Sequence, residues 1–161
     1  MKCMSCDKGE LVTTRENVRD TGSGLPGVTL LGVEVSHCPV CGDREIAIPC
    51  IEALHRALAL ALVGKHARLT PEEVRFLRTY LGWSGRDFAR MMGVDPSTVS
   101  RWEKDQPMGE IADRLLRAYV LLRRPVDSYP VDQLGDVAVS DPAPLRVTLR
   151  SARDGWEHAS P

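Results

Sequence analysis

Aromatic side chains are scarce in this 161-residue chain: two Phe, three Tyr and three Trp make up 5% of it. Its cores must therefore be built mainly from Leu, Val and Ala. Long apolar runs are also missing. The longest, Ala57–Val63, falls far short of the ~20 residues needed to cross a bilayer, which excludes a membrane helix. The start, Met-Lys-Cys-Met-Ser-Cys, has no basic segment followed by an apolar one. No secretory leader is visible there, and the expected location is the cytoplasm. Only four His are present, and the sequence holds no His/Glu metal cluster, no paired carboxylates and no nucleophile elbow, so an enzyme is not expected. What remains, 43% hydrophobic and 27% charged residues, fits a water-soluble chain with room for one ordinary domain or two small ones.

A net charge of −1 looks uninformative until it is divided along the chain. Residues 65–124 hold 12 Lys/Arg against 8 Asp/Glu, residues 1–64 hold 6 against 8, and residues 125–161 hold 3 against 6. The basic surplus is confined to the middle segment, which points to a polyanionic partner for that segment alone.

Five cysteines are present. Four fall in two Cys-x-x-Cys pairs, Cys3/Cys6 and Cys38/Cys41, each followed by a small or polar turn. A tight turn of this kind aims two thiolates at one metal, and two such knuckles supply four sulfur ligands for a closed tetrahedral zinc site. In a reducing compartment the spacing favours metal over disulfides. A thioredoxin-like redox site would need only one pair and a β-α-β setting. We therefore expect one structural zinc ion held by Cys3, Cys6, Cys38 and Cys41, with no open position for metal catalysis. Cys50, the odd one, is expected as a buried small hydrophobe at a helix start.

Between the knuckles, 10–15 and 28–37 read as strands separated by a Gly/Pro-rich turn, and 45–48 as a short third strand. Pro49 is placed to open a connecting helix whose inner face carries Ile51, Leu54, Leu58 and Leu62; His55 and His66 are expected as exposed polar residues. Thr70-Pro71-Glu72-Glu73 then reads as a capping box that starts a new helical unit. Its helices are expected to begin at Thr70, Ser84, Asp95 and about Glu110, with Gly82 and Gly93 marking joints. The inner face of the last helix is read as Ile111, Leu115, Ala118 and Leu122. The expected fold is α+β in two domains: a zinc-clamped, ribbon-like sheet at 1–48, a connecting helix at 49–68 and an all-α domain at 69–124. Residues 125–161, with five Pro, are expected as a loop-rich, poorly ordered extension. Its piece Leu145–Arg150 alternates like a strand and could pair with a sheet edge or a partner.

Residues 81–105, LGWSGRDFARMMGVDPSTVSRWEKD, resemble the helix-turn-helix of the Cro/phage-repressor (XRE) family. The matching positions are Leu81, Gly82, Ser84, Ala89, Gly93, Val94, Val99, Ser100, Trp102 and Glu103. The pattern is physically legible. Small Ala89 lets two helices cross closely, Gly93 permits the turn, and Val99 and Trp102 bury one face of the recognition helix. Such a helix enters the major groove with its N-terminal residues toward base edges. The candidate DNA contacts are Ser84, Arg86, Pro96, Ser97, Thr98, Ser100, Arg101 and Lys104. Arg101 is the expected base reader, since a guanidinium pairs with guanine O6 and N7; Arg86, Lys104 and the capped helix starts are expected on phosphates. Gly85 stands where the family usually has a backbone-contacting Gln, and Arg86 is the neighbour placed to replace that contact.

The order of the two knuckles, a connecting helix and this motif over roughly residues 1–122 resembles the MqsA-type antitoxins (zinc finger proteins of the YgiT type). That resemblance implies a homodimer through the helix-turn-helix domain, bound to a palindromic operator as a repressor of its own operon. It also implies that the zinc domain neutralises a toxin, commonly an mRNA interferase. In that family an Asn and an Arg on the recognition helix read bases. The Arg position is Arg101 and the Asn position is Ser97, so the operator is expected to differ. The alternative is a stand-alone regulator whose zinc domain is only a fold clamp.

Overall fold

The computed structural model describes residues 1–123 and 136–160. The β-branched run Val28–His37 forms the central strand β2, with the bounds its composition predicts. Strand β1, Val12–Arg19, lies antiparallel along one edge of β2 and runs four residues beyond the expected segment. The other edge is shared. The short β3, Arg44–Ala47, pairs antiparallel with Glu34–His37, while β4, Val147–Ala152, pairs in parallel with Val28–Leu31. Strand β5, Gly155–His158, completes a five-stranded sheet by pairing with β4.

One irregularity keeps the long strand amphipathic. Val28 and Leu30 are buried, then Val33 and Val35, so the inward alternation slips by one residue between them. The slip occurs at Gly32, with φ of 64°, opposite the bulge between Glu16 and Val18. The Gly32 N–H donates to Asn17 Oδ1 at 3.1 Å. A strict period of two would have turned Val33 and Val35 to solvent.

Helix α1, Ile51–Val63, packs Leu54, Leu58 and Leu62 inward as expected, whereas Ile51 is exposed. Two details of its start differ from the sequence reading. Pro49 precedes the helix instead of opening it, its carbonyl taking the Trp156 indole N–H at 3.1 Å. Cys50 occupies the N-cap in the left-handed region (φ 49°) and is exposed. At the N-cap, outside the helix's inner face, it is no core hydrophobe. His66 is exposed; His55 is half-buried, its ring edge-on to Phe76 at 5.9 Å.

The helical unit follows its caps closely. Helix α2, Pro71–Tyr80, has the complete Thr70/Glu73 capping box; α3, Gly85–Met92, has the complete Ser84/Asp87 box. Helix α4, Pro96–Trp102, is capped by the Asp95 carboxylate, which accepts the Ser97 N–H at 2.8 Å. Helix α5 spans Glu110–Arg123, and here the predicted face is wrong. Ile111, Leu115 and Leu122 are 85%, 38% and 75% exposed, whereas Asp113, Leu116, Arg117, Val120 and Leu121 are buried. The predicted stripe lost to one that mixes Leu116, Val120 and Leu121 with a charged pair, because Asp113 and Arg117 satisfy each other. Arg117 Nε donates to Asp113 Oδ1 at 2.6 Å, one turn apart and with both side chains fully buried.

That pair is part of a larger buried network. The remaining Arg117 donors reach the carbonyls of Leu62, Val63, Lys65 and Ala67, which include the last turn of α1. Asp113 Oδ2 accepts the Leu69 N–H at 2.7 Å. Glu73 takes the N–H groups of Thr70 and Leu145 and the Lys65 ammonium. Burial pushes the Lys65 ammonium below its ordinary range, against the pull of Glu73. The network ties α1, α2, α5 and the C-terminal extension together, and the apolar core around it is continuous from Leu30 and Val35 of the sheet through Leu58 to Phe88 and Leu116.

The extension is only partly the loop that its prolines predicted. Residues 124–135 and 161 lie outside the described residues. Residues 136–146 are largely irregular but docked: Arg68 N–H donates to the Ser140 carbonyl at 3.0 Å, and Val137 and Ala138 are buried. The strand-like piece 145–150 is strand from Val147 onward, where it forms β4 and fills a sheet edge.

Candidate metal centre and nucleic-acid interface

Each cysteine pair sits in a hydrogen-bonded turn that holds its backbone. The Cys3 carbonyl accepts the Asp7 N–H at 2.9 Å, and the Cys38 carbonyl accepts the Gly42 N–H at 2.9 Å. Asp7 and Gly42 adopt positive φ, 55° and 75°, which lets each knuckle close. The four predicted residues come together: their sulfurs all lie within 4.8 Å of one another, with Cys3–Cys41 and Cys6–Cys38 at 3.6 Å. A tetrahedron of Zn–S bonds of about 2.3 Å has sulfurs about 3.8 Å apart, so this donor set has the size of such a site. Cys3 and Cys38 are buried, Cys6 half-buried and Cys41 exposed.

The electrostatics of the cluster favour a cation at its centre. Amide hydrogen bonds from the Cys41 and Val40 backbone stabilise the Cys38 thiolate and lower its pKa to about 6. The Asp43 amide favours the Cys41 thiolate as well, but the facing Cys38 sulfur, burial and the other two sulfurs outweigh it and push Cys41 up to about 12. Four close thiolates cannot all ionise without a neutralising charge. One residue here escaped the sequence reading. Gly9 is buried, and a Cβ on it would stand 2.5 Å from Cys38 Sγ. A glycine soon after a first knuckle was the available signal, but only the folded approach of the second knuckle gives it meaning.

The second candidate site is built from α2 to α5. Helix α3 ends at Gly93 (φ 67°), which turns the chain into α4. Phe88, Ala89, Val99 and Trp102 are buried between them, the Phe88 and Trp102 rings 6.0 Å apart. Residues 74–119 match the family described as helix-turn-helix. This segment is a helix-turn-helix domain. The match covers less than a third of the chain and identifies this segment alone. No curated protein matches the chain.

Within the domain, Pro96, Ser97, Ser100, Arg101 and Lys104 are exposed along and just beyond α4, and Thr98 is half-buried. Arg101 leans on its own helix, donating from Nη2 to Thr98 Oγ1 at 3.1 Å. Arg86 is exposed at the start of α3. Ser84 is exposed too, but its hydroxyl is engaged as a cap, accepting the Asp87 N–H at 3.1 Å and donating to Asp87 Oδ2 at 2.7 Å. Sequence reasoning missed Arg78. Its guanidinium grips both carboxylate oxygens of Glu103 and donates to the Trp83 carbonyl at 2.9 Å. This half-buried fork fixes the end of α4 to α2 and to the α2–α3 joint. An Arg at a helical position gives no local hint of a carboxylate 25 residues away. Arg90, also missed, is 78% exposed and lies 3.7 Å from Asp87.

Proposed function

We propose that the protein is a sequence-specific DNA-binding transcription regulator. The observation that carries this reading is the two-faced α4 inside a helix-turn-helix domain: Val99 and Trp102 are buried while Ser97, Ser100 and Arg101 face solvent. In this reading α4 enters the major groove, Arg101 reads a guanine, and Ser97 contacts a base or phosphate. Arg86, Lys104 and the N-termini of α3 and α4 hold phosphates and set register, with Ser84, Pro96 and Thr98 at that surface. The Arg78–Glu103 fork positions the helix.

The exposed stripe of Ile111, Leu115 and Leu122 supports a homodimer through α5, which would present two copies of α4 to a palindromic operator. Cys3, Cys6, Cys38 and Cys41 would hold one zinc ion, which supplies folding free energy to the sheet and leaves no open position for a reacting ligand. We read 1–48 as the zinc unit, 49–68 as the connecting helix, 69–124 as the DNA-binding unit and 125–161 as an extension whose strands complete the first unit's sheet. The finer reading is an autorepressing antitoxin, acting in the cytoplasm, whose zinc unit grips an mRNA interferase-like toxin; the alternative is a regulator without that partner.

The test is selection of duplexes from a random pool by the zinc-loaded chain, followed by binding of Arg101→Ala to the selected site. Enrichment of a palindrome and a loss of about 1–3 kcal/mol per protomer at one base position are expected. A pool that stays random refutes sequence-specific binding.

A further inference from the structure

A groove of about 1100 Å³ opens where α1 passes the joint of β2 with β4. Its floor is apolar, made by half-buried Leu60 and Ala61 of α1 with Pro26 and Leu145. Its rim carries Arg19, Lys65, Arg146 and His158, and among the described residues no Asp or Glu lines it. Lys65 is committed to Glu73 and to the Ala143 carbonyl. Arg19 and Arg146 are exposed and have no acidic partner among the described residues. Arg15, four residues before Arg19 on the same strand, does have one, Glu34 at 3.8 Å. Two free guanidiniums therefore flank an apolar floor.

The groove is preformed by tertiary contacts that only this chain's two ends can make. The segment before β4 lies against Gly27 so closely that a Cβ there would meet the Leu145 carbonyl oxygen at 1.9 Å. The Val147 N–H donates to the Gly27 carbonyl at 3.0 Å and holds the segment there. Arg146 is thus brought to the same opening as Arg19, from residues more than a hundred positions apart in sequence.

We propose that this groove docks a short acidic peptide segment carrying apolar side chains, supplied by a partner protein. Carboxylates match the planar donors of Arg19 and Arg146 in bidentate geometry. The apolar side chains of the same segment cover Leu60, Ala61 and Leu145, which a sugar-phosphate backbone would not do. Among the described residues no Phe, Tyr or Trp lines the groove to stack a base, which disfavours single-stranded nucleic acid. The site lies on the sheet and α1, so it stands independently of how α4 meets DNA.

The experiment uses the full, zinc-loaded chain and a fluorescein-labelled, Glu-rich peptide with Leu at every third position, read by anisotropy. A matched peptide with Lys for Glu and a random-sequence duplex are run beside it. Two variants are compared, Arg19→Glu/Arg146→Glu, both exposed positions, and Ala61→Arg, which fills the floor; circular dichroism checks that each is folded. The expected result is binding of the acidic peptide, weakened about tenfold or more in both variants, no binding of the Lys peptide, and unchanged binding of the duplex. The proposal is overturned if the wild-type chain ignores the acidic peptide up to about 1 mM. It is equally overturned if both variants bind the peptide as the wild type does. Loss of duplex binding in Arg19→Glu/Arg146→Glu with peptide binding intact would also overturn it, reassigning the arginines to DNA.

Discussion

Replacing Arg117 by Met keeps much of the side chain's length and removes its charge. In the native protein this guanidinium is fully buried, paired with an equally buried Asp113, and shared among the carbonyls of Leu62, Val63, Lys65 and Ala67. Without it, Asp113 keeps the Leu69 N–H but loses its countercharge, and the end of α1 loses its side-chain donor. Breaking a buried ion pair from one side costs about 3–5 kcal/mol, mainly because a charge is left unpaired in a poorly solvated place. That is a large share of the about 5–15 kcal/mol that holds a typical domain. At about 2–4 °C per kcal/mol for a chain of this size, the midpoint should fall by about 6–20 °C. Urea unfolding and calorimetry measure both quantities. Adding Asp113→Asn should recover part of the loss by removing the orphaned charge, while the Leu69 contact survives. A loss below about 1 kcal/mol in the single variant would refute the reasoning, because it would mean that the pair is solvated or replaceable.

Three further outcomes are expected. Cys38→Ser should lower zinc affinity by more than the about 10–100-fold that loss of an outer partner costs; an unchanged metal-to-chain ratio after dialysis against a chelator would contradict the four-thiolate site. Ile111→Glu/Leu122→Glu alters two side chains that are 85% and 75% exposed, so folding should survive while sedimentation shows monomers; a wild-type chain that is itself monomeric at micromolar concentration would end the α5 dimer. Asp95 is held below the usual carboxylate range by its hydrogen bonds with Ser97, and Asp87 by those with Ser84. A depressed folded pKa contributes stability above the unfolded value, lost as pH falls through the folded one. The advantage of wild type over Asp95→Asn should therefore be full at neutral pH and shrink below about pH 4. Parallel stability curves for the two proteins would exclude a charged cap.

Local signals carried much of this protein. The capping residues Thr70, Ser84 and Asp95 announce α2, α3 and α4, because a side chain that satisfies a helix's first N–H groups must sit within three residues of them. The Cys-x-x-Cys spacing announces two knuckles, since the turn that aims both sulfurs is itself local. The bounds of β2 are written in its β-branched run. The two faces of α4 follow from the helical spacing of Val99 and Trp102, with Ser100 and Arg101 between them.

What the sequence left open is what depends on the opposite side of a contact. Periodicity put Ile111, Leu115, Ala118 and Leu122 on the inner face of α5; the tertiary structure turned Asp113 and Arg117 inward because four carbonyls near the end of α1 and one amide stood ready to receive them. Leu145–Arg150 could be read as a strand, but only the free edge of β2, more than a hundred residues earlier, made one of it from Val147 onward. Gly9 is required by a sulfur from the second knuckle, and Arg78 by a carboxylate on α4. A residue's own neighbours in sequence determine its turns, caps and faces. Which buried polar group is satisfied, and which exposed arginine is left without a partner, is decided only when distant segments meet.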